Sequence, residues 1–137
     1  AYENGGHAYH ATMPTDSIKH FRDTINQTAE FGFDKARDMQ QELGDRVRLL
    51  LKKHGFISVA ADGFLAPGVV VSYTSDKGLH NGSKFKDLGM QIAAGVPLQC
   101  DEGEDYQTFR LGLFGLDKLK DVDSAVQRLE EVFNQLT

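Results

Sequence analysis

Apolar residues recur at helical steps along the first part of the chain. From Thr15, the residues Ile18, Phe21, Ile25 and Ala29 follow at intervals of three and four, the signature of one helix face. Pro14 suits a first helical turn, where its missing N–H is no loss, and Asp16 complements the positive helix end. "FGFD" interrupts the pattern at Gly32. A second helix is predicted beyond it, capped by Asp34, with Met39, Leu43, Val47, Leu50 and Leu51 on one face. Glu42 and Arg46 are spaced to pair along that helix. Gly44 is its weak spot, since an interior glycine costs about 1 kcal/mol relative to alanine. Gly55 is a natural stop.

The period then shortens. "FISVA" (56–60) reads as a strand, "ADG" as a turn, and "GVVVSYT" (68–74) as a second strand beginning after Pro67. Residues 75–89 hold a turn and a short helix ending at Gly89. "MQIAA" (90–94) and "YQTFRLGLF" (106–114) read as the third and fourth strands, separated by a loop with a strongly acidic end. Asp121 is placed to cap a last helix whose apolar stripe runs through Val122, Ala125, Val126, Leu129, Val132, Phe133 and Leu136. The order α-α-β-β-α-β-β-α describes an α+β fold. A small, mostly antiparallel sheet of about four strands is covered by helices and preceded by a long helix pair.

Composition narrows the function classes. The chain has 137 residues, 40% hydrophobic and 9% aromatic, enough for one modest core. A net charge of −5 argues against nucleic acid or an anionic membrane as the main partner. No apolar run approaches the ~20 residues that span a bilayer. A single cysteine, Cys100, excludes an intrachain disulfide framework and leads us to expect a cytoplasmic protein. His7 and His10 lack further partners for a metal set, so no metal is assigned. The opening "AYENGGHAYH" has no initiator methionine and reads as loop. We expect a piece of something longer, with 1–14 as a lead-in loop or dimer arm and 15–137 as a small domain with its interdomain helix.

One position resists the core pattern. In "QTFRLGLFGLD", Phe109, Leu111 and Leu113 share a strand face and should meet the helices, while Thr108, Arg110 and Gly112 point the other way. Small neighbours leave the Arg110 guanidinium uncovered. A planar fork in a cleft suits two-point binding of a carboxylate. A solvated arginine on the open side of a half-exposed sheet satisfies the same pattern.

The segments "YHATMPTDSIKHFRDTI", "GMQIAAGVPL" and "TFRLGLFGLDKLKDVDSAVQRLEEVF", with the long helices between the first two, come in an order that resembles the C-terminal end of fold-type I, class V aminotransferases. The likeness is nearest to the alanine–glyoxylate and serine–pyruvate aminotransferase branch, and it covers nearly the whole chain. The resemblance implies that Arg110 binds the α-carboxylate of amino acid and 2-oxo acid substrates. It implies that Tyr9 and Thr12 hold the phosphate of pyridoxal 5'-phosphate in the neighbouring subunit of a homodimer; on the residues alone, Thr12 could simply cap the helix and Tyr9 pack locally.

The same resemblance implies what this segment lacks. None of its lysines sits in the family's Schiff-base motif, so no catalytic residue is assigned here. The chain is expected to be silent without its own large domain. Cysteine desulfurases of the same superfamily offer an alternative, because Cys100 lies in a loop ten residues before Arg110. The anions Asp101, Glu102, Glu104 and Asp105 around it disfavour the thiolate that such chemistry needs. A stand-alone amino-acid-binding regulatory module is the other alternative.

Overall fold

The computed structural model describes residues 2–6 and 12–136. The chain divides into two compact units, Ala1–Phe33 and Asp34–Thr137. Within the described residues no helix is long and apolar enough to cross a membrane.

The first unit carries a 3-10 turn at Tyr2–Asn4 and helix α1, Thr15–Phe31. Pro14 occupies its N-cap position, as its fixed φ allows. Gly32 closes α1 at φ 99, its N–H reaching the carbonyls of Thr28 and Ala29. The predicted stripe is present, yet no α1 residue is buried, and Ile18, Phe21 and Ile25 are all exposed.

Helix α2, Phe33–Lys53, enters the second unit, which starts at Asp34. Asp34 therefore sits inside the first turn rather than capping it, and faces Arg37 at 3.3 Å. One glycine in the left-handed region breaks the helix, and helical geometry resumes at once. Leu43, Gly44, Val47, Leu50 and Leu51 form the buried stripe. Glu42 and Arg46 pair at 3.1 Å as expected, and Gly55 ends the helix at φ 80. Gly44 corrects the expectation of a weak spot. A Cβ there would stand 2.7 Å from the Pro67 carbonyl oxygen, so only glycine lets the loop lie against α2. Gln40 and Arg48, one turn to either side, donate to the Pro67 and Ala66 carbonyls at 3.1 and 2.7 Å.

Among the described residues the sheet has three strands, not four: β1 (Val69–Tyr73), β2 (Ala93–Ala94) and β3 (Thr108–Gly112), antiparallel in the order β1-β3-β2. "FISVA" lies along the β1 edge but joins it only through the Ser58–Ser72 bridge and its flanking backbone bonds. The Ser58 hydroxyl binds the Ala60 carbonyl at 3.0 Å, and the chain bends there instead of extending the ladder. The predicted short helix before β2 is two, α3 (Lys77–His80) and α4 (Ser83–Asp87), divided by Gly82 at φ 80. Asp76 caps α3 through the N–H groups of Gly78 and Leu79. After β3 come α5 (Leu116–Leu119) and α6 (Val122–Leu136), the latter opened by Asp121, which accepts from the Ser124 N–H and hydroxyl.

The core lies between the sheet and its helices. Phe56, Phe85, Phe109 and Phe133 meet in tilted and edge-to-face pairs with centroids 5.2–6.3 Å apart. Ion pairs Arg46–Asp123 (2.7 Å) and Lys53–Glu130 (2.6 Å) join α2 to α6.

Candidate functional site

Arg110 stands at the middle of the central strand, across from Val71 on β1 and Ala93 on β2. Its neighbours Phe109 and Leu111 are buried at 0% and 4% exposure, which sends the Arg110 side chain to the opposite face. The guanidinium is anchored at one point: Nε donates to the Ala94 carbonyl at 2.8 Å. That bond fixes the plane of the fork beside the two-residue strand β2. Among the described residues its terminal nitrogens make no hydrogen bond, and no carboxylate lies within ion-pair distance. A half-buried cation with one braced nitrogen and two free ones can accept an anion from outside.

The two ends of this face differ. Gly112 is exposed, as its place beside Arg110 suggested. Thr108, expected on the same open side, is instead buried at 1%. Gly95 explains this: its backbone comes so close that a Cβ would fall 2.0 Å from the Thr108 carbonyl oxygen. His80 Nδ1 bonds to that same carbonyl at 2.7 Å. The loop after β2 thus closes one side of Arg110 and leaves the Gly112 side open. Tyr73, on the same face, and Phe114, beyond Gly112, remain exposed at 42% and 62%. Sequence reasoning missed both the Ala94 brace and the Gly95 lid. The only hint was the small-residue run "AAG" at a strand end.

Of the other residues, Tyr9 lies outside the described residues. Thr12 is exposed in the first unit, just ahead of α1. The N-cap position of α1 is Pro14, which supplies no side-chain cap bond. Among the described residues no group of three or more His, Cys, Asp or Glu could hold a metal ion.

Cys100 is exposed, and local desolvation followed by the Glu102 carboxylate pushes its thiol up. The thiolate is disfavoured, as its acidic setting implied. The loop has a use for that anion. Glu102 accepts backbone N–H bonds from Leu98, from Gln99 at 2.8 Å and from Cys100 at 2.7 Å. Gln99 and Asp101 take left-handed φ of 60 and 64 to aim those amides inward. These contacts, the Cys100 N–H foremost, hold the Glu102 carboxyl at about 2.

No protein-family model matches the chain, and no curated protein matches it. Among solved structures it is similar to an aspartate aminotransferase of subgroup IV from Thermus thermophilus, at 17% identity and a TM-score of 0.49. That likeness covers 72% of this chain, which spans only 27% of the other.

Proposed function

We propose that this chain is the C-terminal part of a class V, pyridoxal-phosphate-dependent aminotransferase that works as a homodimer. In it an amino acid gives its nitrogen to a 2-oxo acid. The observation that carries this reading is the Arg110 guanidinium, braced at Nε by Ala94 and, among the described residues, otherwise unpaired on an open sheet face. The α-carboxylate common to both substrate classes would fork onto its free nitrogens, which fixes the distance and direction of the substrate's Cα. The closed Thr108 side makes the approach one-directional. The substrate body must extend over Gly112 or away from the sheet.

The residues of the first unit suit a phosphate. A hydroxyl at Thr12 precedes a 17-residue helix whose N-cap residue, Pro14, supplies no side-chain cap bond, and amides at a helix start favour an anion. Tyr9 would add a second hydroxyl. The cofactor, when bound, supplies the electron sink for chemistry at Cα, and its attachment belongs to the part of the enzyme outside this chain. The exposed, up-shifted thiol of Cys100 tells against the desulfurase alternative.

The test uses the protein encoded by the whole reading frame that contains this sequence. It is incubated with pyridoxal phosphate, 15N-labelled amino acids and a panel of 2-oxo acids, and products are read by mass spectrometry. The reading expects 15N in a newly made amino acid, dependent on the cofactor. The 137-residue chain alone should transfer none and should yield no pyridoxyl adduct after borohydride. A whole protein that binds amino acids yet moves no 15N would point to the regulatory module instead.

A further inference from the structure

A cavity of about 510 Å³ opens on the helix side of the sheet, away from the Arg110 fork. Its volume lies in the roughly 300–1,000 Å³ range of small-molecule sites. The floor is apolar: Leu43 and Val47 from α2, Leu111 from β3 and Leu129 from α6, with Ile92 at the side. The rim carries four charges, and three of them are occupied. Lys118 donates to the Phe114 carbonyl at 2.8 Å and faces Asp117 at 3.3 Å. Asp121 accepts from the Ser124 N–H and hydroxyl at 3.0 and 2.7 Å. Arg128 is the fourth, and among the described residues it makes no hydrogen bond or ion pair.

We propose that this cavity binds an amphipathic monocarboxylate, its anionic end on Arg128 and its apolar body over Ala125 and the leucine floor. The charge pattern sets the direction. Asp121 lies seven positions before Arg128, roughly 10 Å away at about 1.5 Å per helical residue, so that carboxylate stands clear of the bound anion, while Asp117 faces Lys118. Ala125, three positions before Arg128, lies on the same face of α6, and its small side chain leaves room for the ligand there. An apolar cation would bring its charge to the one unbalanced cation of the rim, and a short anion would leave the floor unfilled. The ligand is therefore distinguished by both of its ends.

The 137-residue chain, 15N-labelled, is titrated with octanoate, with octylammonium and with acetate, and amide shifts are followed by NMR. Octanoate should bind saturably, with shifts centred on Ile92, Ala125, Arg128 and Leu129. Octylammonium and acetate should bind at least tenfold more weakly. Arg128→Gln, at an exposed position that leaves the fold intact, should raise the octanoate Kd about tenfold, or about 1.4 kcal/mol. Ala125→Leu, which fills the cavity from α6, should abolish binding. Octylammonium binding as tightly as octanoate, an Arg128→Gln variant with unchanged Kd, or shifts confined to the apolar stripe of α1 would each overturn the proposal.

Discussion

The Glu102 carboxylate organises the loop that leads into β3, because three consecutive amides, Leu98 to Cys100, point at it. Its folded value of about 2 lies below the ordinary carboxylate 4.5. A depressed carboxyl stabilises above its unfolded value and loses that contribution as pH falls through its folded one. Loop order should therefore hold down to about pH 4.5 and dissolve toward pH 2, and Glu102→Gln should remove the pH dependence in that window. Amide chemical shifts of Leu98, Gln99 and Cys100 followed from pH 5 to pH 1.5 check this; a midpoint near 4.5 would contradict it. At this scale the sequence was partly legible. Alternation alone put Arg110 opposite Phe109 and Leu111, and there the structure agrees. It could not show that Thr108 is buried, because the cover comes from Gly95, brought in by a chain reversal that alternation does not encode. The carboxylate of Glu102 was visible only as one more anion near Cys100, since its partners are backbone amides set by left-handed residues.

Among the elements, periodicity carried the long helices and failed at short ones. α1, α2 and α6 follow their stripes because one apolar face over several turns leaves little choice. "FISVA" has strand composition but bends after a single bridge, through a local hydroxyl-to-carbonyl bond that competes with the ladder. Gly44 is the instructive case, because its helix propensity argues against it and its packing requires it. Gly44→Ala would gain roughly 0.5–1 kcal/mol of helix propensity. It would force the Pro67 backbone away from α2, and overpacking of that kind costs about 1–3 kcal/mol. The expected net effect is a loss of up to about 2.5 kcal/mol, read as a lower midpoint in urea unfolding. A midpoint equal to wild type or higher would show that the loop yields without cost.

For the molecule as a whole, the α+β class was legible from the order of elements, while what surrounds the chain was not. The apolar stripe of α1 is left bare, with Phe21 66% exposed. On the proposed reading it lies against the rest of the parent enzyme. In the isolated chain such a stripe promotes association. Sedimentation should show mass rising with concentration, and Phe21→Asp should restore the monomer; a wild-type chain that stays monomeric and binds no hydrophobic dye would count against this. The central claim is that Arg110 holds a substrate carboxylate, and kinetics of the parent enzyme test it most directly. Arg110→Lys keeps the charge but loses the second aligned hydrogen bond. A charge-assisted bond contributes roughly 1.5–3 kcal/mol, so kcat/KM should fall about 10- to 150-fold at ~1.4 kcal/mol per tenfold. Arg110→Ala should fall further, and the thermal melt should change little in both, since the guanidinium has one partner among the described residues. Near-wild-type kcat/KM in both variants would contradict the carboxylate role and leave Arg110 a solvated arginine on an open sheet.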